Sequence, residues 1–311
     1  MLKKLIETQL ENHIKLTTHQ GFQNILEYST IPAGKLFRPM LGACLYQDLT
    51  NKAETQKLLE NKNSNLTLFL CALEIHHAYT LVHDDMPCMD NDDFRRGKES
   101  VHKKFGQWSA VLAGDSLLHH SHTLISKIEH KNSRAIREHF SWALGPKGLI
   151  LGQVYDLGGE IKKDFTSLMR THELKTARLI QLSLTGTALL AKNSYSYREH
   201  INYLRIGRCI GLLFQLLDDL SECTEELTEH ERDVSPFLRF PQESLRLSEH
   251  LIKKLSTQLV ELPNSSLFIK NYLQLMKGKI VPSINQSQSI LLKNLNSEFV
   301  KKDLLPVMNL L

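Results

Sequence analysis

The sequence predicts an all-α protein, a single-domain helical bundle spanning residues 1–311. Two observations carry that expectation. Apolar residues recur at three- and four-residue intervals along nearly the whole chain, the period of a helix with one buried face. No segment shows the apolar–polar alternation between turn residues that marks a strand. The composition agrees: 41% hydrophobic and 23% charged is that of a globular chain able to bury a sizeable core.

The elements follow in order. Leu2, Leu5, Ile6 and Leu10 open an amphipathic helix, and Leu41, Cys44 and Leu45 share the face of another. Leu70, Leu73, Ile75, Tyr79, Leu81 and Val82 fill a long buried helix running into Asp84. Further helices are expected over 108–127, 133–142, 149–157, 171–192 and 197–226, then over 242–262, 265–278 and 283–300. Breakers separate them: Pro32-Ala33-Gly34, the asparagine-rich 61–65, Gly145-Pro146 and Gly158-Gly159. No repeat, low-complexity block or linker divides the chain, so the site is expected between facing helices of one bundle.

Several function classes are excluded. No apolar run approaches the roughly 18 residues that span a bilayer, and the N-terminus lacks the apolar region of a signal peptide. Five scattered cysteines without a C-x-x-C pair indicate neither a disulfide framework nor zinc, and point to a reducing, cytoplasmic setting. A net charge of +4 without a long basic run argues against nucleic acid as the main partner. His119, His120 and His122 read as surface or interhelical polar residues, because helical neighbours point in different directions.

The chemistry concentrates in His83-Asp84-Asp85-Met86-Pro87-Cys88-Met89-Asp90-Asn91-Asp92-Asp93-Phe94-Arg95-Arg96-Gly97. Carboxylates this dense repel one another unless divalent cations bind. Hard oxygen donors suit Mg²⁺, which keeps several waters and shares its remaining positions between a few carboxylates and substrate phosphates. The arginine pair supplies forked donors for phosphate oxygens. A second acidic cluster, Phe214-Gln215-Leu216-Leu217-Asp218-Asp219-Leu220-Ser221-Glu222, follows another apolar helix. Asp218, Glu222 and Glu226 fall four residues apart, on one helix face. Two such clusters facing each other across a cavity would hold Mg²⁺ at the mouth of an apolar tunnel. The ligand that suits this arrangement is a diphosphate with a long hydrocarbon tail.

From about Ala33 to Asp219 the chain resembles the trans-prenyltransferases, or isoprenyl diphosphate synthases, and among them the bacterial farnesyl diphosphate synthases. Gly34-Lys35-Leu36-Phe37-Arg38-Pro39 looks like the family's G-K-R-x-R-P. His76-His77-Ala78-Tyr79 and Asp84 to Asp90 look like its first aspartate-rich motif in the longer bacterial form. Arg95-Arg96-Gly97, Leu112-Ala113-Gly114-Asp115, Gly152-Gln153-x-x-Asp156-Leu157, Lys175-Thr176 and Phe214-Gln215-x-x-Asp218-Asp219 continue the series in order. The ordered set is far more specific than any single motif.

The resemblance implies the isoprenoid synthase fold, a homodimer, and Mg²⁺ held by Asp84, Asp90 and Asp218, with Glu222 in the second motif. It implies that Lys35, Arg38, His77 and Arg96 hold isopentenyl diphosphate, and that Arg95 and Lys175 hold the allylic diphosphate. Gln153 joins the substrate-binding set, while Thr176 and Gln215 stabilise the allylic cation. Pro87 accounts for the spacing of the two aspartates: positions i and i+6 do not share a helix face, so the helix must stop for them to converge. The product tail is expected to run past Thr80, about 6 Å along the helix from Asp84, and to meet the ring of Tyr79. That floor admits a fifteen-carbon chain.

The pattern breaks in three places. Leu36 replaces the first arginine of G-K-R-x-R-P, Glu222 stands where the second motif ends in aspartate, and the stretch from Cys223 to Asp233 is acidic where the family carries a lysine, leaving Arg232 or Arg239 as substitutes. Two further readings follow: a degenerate, weakly active or inactive homologue serving as a partner subunit, and a class I terpene cyclase. Lys35, Arg38, His77 and Arg96 oppose the cyclase, which needs no second diphosphate site.

Overall fold

The longest apolar stretch of the sequence becomes a 20-residue helix, α5 (Asn65–Asp84), opened by Ser64, whose hydroxyl accepts from the Thr67 amide at 3.1 Å. Fourteen of its residues are buried, around its whole circumference, so it has no solvent face and must be packed from every side. The computed structural model describes residues 1–192, 194–223 and 229–261, with isolated positions after 261. The helices expected over 265–278 and 283–300 lie outside the described residues. Packing divides the chain into two units, Met1–Phe140 with Gly186–Tyr195, and Ser141–Thr185 with Ser196–Leu311. Two of the three divisions fall inside helices, α8 (Ser133–Leu144) and α11 (Arg178–Ala191), and the third falls just before Ser196, in the loop that follows α11.

In the first unit α5 is packed by α7 (Gln107–Ser126), α3 (Phe37–Leu49), α1 (Leu2–His13), α2 (Gln20–Thr30) and α4 (Lys52–Glu60). Two of these, α2 and α4, escape the sequence reading because each buries only four and two residues respectively and is otherwise polar. Asn51 caps α4 through the Glu54 amide at 2.8 Å. The expectation of no strand needs one correction. Phe94–Arg95 (β1) and Lys98–Glu99 (β2) pair antiparallel. Their turn places Arg96 and Gly97 at φ 54° and 76°, the left-handed pair that closes a two-residue hairpin. Two residues per strand are too few for alternation to register.

The second unit centres on α12 (Tyr197–Glu222), whose start is a reciprocal capping box between Ser196 and Glu199. It ends at Glu222; the expected continuation to 226 lies outside the described residues. Around it pack α15 (Pro241–Glu261), α14 (Pro236–Arg239) and α10 (Phe165–His172). The single helix expected over 171–192 is three pieces: α10, a π-helical turn Glu173–Ala177, and α11. Apolar periodicity cannot reveal a one-residue widening inside an otherwise continuous helix. The turn lies against α12 and α9 (Leu149–Leu157).

The approach of α12 to this turn is set by Gly211, where a Cβ would stand 2.4 Å from the Ala177 Cβ. Gly211→Val should therefore cost about 1–3 kcal/mol through overpacking. The check is a lower urea midpoint by circular dichroism, with the helical signal in water retained.

Candidate functional site

Helix α5 delivers its chemistry where it ends. Asp84 is its last residue, and the chain then turns back: the Asp90 amide donates to the Asp84 carbonyl at 2.8 Å, and the Asp92 amide to the Asp85 carbonyl at 3.1 Å. Asn91, at φ 57°, makes the reversal. The six-residue spacing is thus closed by a loop that returns Asp90 to the level of Asp84. Asp84 is half-buried and Asp90 exposed.

Asp85 points inward instead. It is buried, and Arg95 grips it through Nε at 2.8 Å and through Nη2, which also donates to Asp92 at 2.6 Å. Burial pushes the Asp85 carboxyl up and the Arg95 pairing pulls it back down. Arg95, expected on a substrate diphosphate, is here held by two carboxylates of its own motif.

At the middle of α5 lies a second cationic group. Glu74, 3% exposed, stands 3.9 Å from Arg96 Nη2, and both Arg38 and Arg96 lower a carboxyl that burial raises. His77 faces the same arginines; burial first, then Arg38 and Arg96, drive its pKa well below the ordinary value. The imidazole is neutral and offers a directional hydrogen bond, not a charge. Gly34 makes room for this assembly: a Cβ there would lie 2.9 Å from the Arg96 guanidinium carbon. Arg38, His77 and Arg96 are therefore brought together as expected, with Lys35 exposed just before α3. Leu36 is 1% exposed in the core, so its side chain is a packing element.

Tyr79 lies edge-on between His76 at 4.9 Å and His83 at 5.2 Å between ring centroids. Thr80 is buried and its hydroxyl donates to the His77 carbonyl at 2.9 Å. Of the three neighbouring histidines, His122 packs edge-on against Phe140 at 5.1 Å. His120 is held neutral by burial, its pKa down to about 4. Both fit the interhelical reading.

In the second unit the π turn presents the other expected residues. Lys175 Nζ donates to Asp156 at 2.6 Å, and Gly152 lets α9 reach the turn, since a Cβ would meet the Lys175 amide nitrogen at 2.4 Å. The Thr176 hydroxyl donates to Gln215 Oε1 at 2.9 Å, and Gln215 Nε2 to Asp219 at 2.8 Å. Thr176, Gln215 and Asp219 thus form one oriented chain, each oxygen keeping a lone pair for a ligand. Gln153 Nε2 is buried without a hydrogen-bond partner, an orphan donor that a substrate oxygen would satisfy. Asp218 is half-buried and Glu222, one turn later on α12, is exposed; Glu226 lies outside the described residues. Neither proposed substitute for the family lysine is idle: Arg239 donates to the carbonyls of Ile161 and Lys162, and Arg232 to Asn294 at 3.2 Å.

Among the described residues no three His, Cys, Asp or Glu side chains gather as a metal-ligand set. What the units do offer is carboxylates in pairs, Asp84 with Asp90 and Asp218 with Glu222. That donor set suits Mg²⁺, which takes one or two carboxylates and completes its shell with water and phosphate. Four residues outside the expected set touch the expected ones or one another: Glu74 reaches Arg96, Asp156 pairs with Lys175, Asp219 bonds Gln215, and His172 lies against Asp219. Glu74 had a signal in the sequence, a lone acid inside an apolar helix. His172 had none, because its burial depends on tertiary packing.

Comparison with known proteins gives a coherent picture. A model of the polyprenyl synthetase family matches residues 19–235. Geranylgeranyl pyrophosphate synthase 7 of Arabidopsis thaliana is 36% identical over 234 residues, 72% of this chain and 63% of the plant protein. The chain thus spans less than two thirds of that relative's length. A farnesyl diphosphate synthase of Geobacillus stearothermophilus is 33% identical over 225 residues, 70% of this chain and 72% of its own. Among solved structures, a Helicobacter pylori geranyltransferase complexed with magnesium and isoprenyl diphosphate superposes with a TM-score of 0.77 at 26% identity. It covers 88% of this chain and 95% of that one. The all-α isoprenoid synthase fold is thereby shown, and no described helix is long and apolar enough to cross a membrane.

His172 yields a test of the site's electrostatics. It is buried, 3.5 Å from an Asp219 oxygen, and desolvation lowers its pKa to about 4. The unfolded chain takes up the proton first as pH falls below about 6.5. The stability this neutral imidazole contributes is complete above that pH and is lost on the way down to about 4. Between pH 6.5 and 5 its share is about 2 kcal/mol at about 1.4 kcal/mol per pH unit. Urea midpoints of native protein and His172→Gln across this window should show a flatter acid slope in the variant.

Proposed function

Since the chain belongs to the polyprenyl synthetase family, we propose that it is a Mg²⁺-dependent trans-prenyltransferase. It would join isopentenyl diphosphate to an allylic diphosphate, dimethylallyl or geranyl, and release a short-chain product, farnesyl diphosphate. The observation that carries this reading is the grouping of Arg38, His77 and Arg96 in the same unit as the Asp84–Asp90 loop. A terpene cyclase has no use for that group.

In this mechanism Arg38, Arg96 and neutral His77, with Lys35, bind the diphosphate of isopentenyl diphosphate. Two guanidiniums supply charge and forked donors, and the imidazole supplies direction. Asp84 and Asp90, and Asp218 in the second unit, would hold the Mg²⁺, which neutralises the departing diphosphate. Lys175 and Arg95 bind the same leaving group; both are paired with carboxylates in the free protein and exchange those partners for phosphate oxygens. The allylic carbon–oxygen bond breaks with its electron pair leaving on diphosphate. The double bond of isopentenyl diphosphate then attacks the cation, and a proton is lost from the adduct. Thr176 and Gln215 direct oxygen lone pairs at the developing positive charge, and because their hydrogen bonds are already made, little reorganisation is needed.

Relatives named for both fifteen- and twenty-carbon products support a short-chain product, and the Tyr79 ring braced between two histidines supports the shorter. Homodimerisation is supported by exposed Trp108 and Leu112 on α7 and by Ile150, Val154 and Leu157 on α9. Five thiols support the reducing cytoplasm as the setting.

Asp84→Ala should lower turnover by more than about a hundredfold while the fold persists, as removing one carboxylate relieves repulsion. The measurement is radiolabelled isopentenyl diphosphate incorporation with geranyl diphosphate and saturating Mg²⁺, beside a melting curve. Near-native incorporation would end the assignment of this loop, and no product from native protein would favour the partner-subunit reading.

Tyr79→Ala should lengthen the product beyond fifteen carbons, and Thr80→Phe should shorten it to ten. Chromatography of the dephosphorylated products decides this, an unchanged distribution in both variants placing the tunnel floor elsewhere.

A further inference from the structure

Glu74 presents a physical problem that the proposed reaction does not solve. It is 3% exposed in a helix whose other faces are apolar, where a carboxylate is strongly penalised unless it is paired. A leucine would pack there without that penalty. What the carboxylate contacts is informative. Arg96 Nη2 stands 3.9 Å from its Oε1, and the charges of both Arg38 and Arg96 favour the ionised carboxylate against burial. The Arg96 guanidinium also lies against Gly34, whose lack of a Cβ leaves room for it. The left-handed Arg96 backbone belongs to the hairpin turn, and that turn brings the guanidinium beside the buried acid.

We propose that Glu74 is a positioning residue for the isopentenyl diphosphate site: it orients Arg38 and Arg96 for the substrate's diphosphate without touching the substrate. The inference rests on the proposed function and deepens it. A carboxylate behind two guanidiniums has two opposing effects on an incoming anion. It orients their forks, which strengthens binding, and it subtracts charge, which weakens binding. A carboxylate kept buried at position 74 beside Arg96, where an apolar residue would pack at less cost, points to geometry as the governing effect, so removing the charge while keeping the shape should weaken binding.

The experiment uses Glu74→Gln and Glu74→Asp in the full chain, with two readouts. Calorimetric titration gives the dissociation constant for isopentenyl diphosphate, and the coupling assay gives KM for each substrate and kcat. Glu74→Gln should raise the dissociation constant and KM for isopentenyl diphosphate about tenfold to thirtyfold, the loss of one charge-assisted contact. KM for geranyl diphosphate and kcat at saturation should stay within about threefold, and Glu74→Asp should restore most of the binding. A merely structural role would move both KM values and kcat together, with no rescue by Asp. Equal or tighter binding in Glu74→Gln would show that the carboxylate acts only as a counter-charge; either result overturns the inference. Should Glu74→Gln fail to fold, Gly34→Ala crowds the Arg96 guanidinium directly and should produce the same selective rise. Native protein that neither binds isopentenyl diphosphate nor turns over would overturn the proposed function itself. Native binding unchanged in the variants overturns the Glu74 inference alone.

Discussion

A helix buried on every face can carry polar chemistry only where something inside the protein answers it, and α5 imposes that rule on the whole first unit. Each of its polar side chains has drawn in a specific partner. Glu74 gathers Arg38 and Arg96, His77 is kept neutral beside the same arginines, and the Thr80 hydroxyl turns back onto the His77 carbonyl. His76, its pKa lowered to about 3 by burial, bonds the Ser121 hydroxyl at 3.2 Å. Where the helix meets solvent the constraint lifts at once, and the carboxylates of 84–93 follow. The position of the acidic loop is thus a consequence of how far burial extends along one helix.

The all-α fold and the order of the main helices were legible because long apolar periods leave little ambiguity. So was the convergence of Asp84 and Asp90: a proline between two acids six apart admits few backbones other than a reversal. The grouping of Arg38, His77 and Arg96 followed from resemblance, since positions 38, 77 and 96 share no local element. What the sequence withheld is instructive by residue. Leu36 reads as a missing phosphate donor, yet it is a core side chain, because burial of a residue beside a helix start depends on what packs over it. Arg95 reads as a free cation, yet Asp85 and Asp92 occupy it; competition among partners within one motif is invisible in a linear pattern. The hairpin at 94–99 and the helices α2 and α4 are too short or too polar to announce themselves.

The second unit shows the same economy in another form. Lys175 is matched to Asp156, and Thr176, Gln215 and Asp219 form a hydrogen-bonded relay. Such a network is rigid before any ligand arrives, so binding would exchange partners instead of ordering loose side chains.

The π turn at 173–177 carries one more implication, for the chain's tolerance of insertions and deletions. A π turn is a helix holding one residue more than its length requires, so α10 and α11 are out of phase by about 100°, the rotation of a single residue. Losing any one residue within it would let the segment relax into an unbroken α-helix. The relaxed helix would be more regular, and it would turn Gln181 away from the Leu204 carbonyl to which it now donates at 2.9 Å. Substitutions in this segment alter a side chain, but a change of length rewrites the azimuth of everything after it.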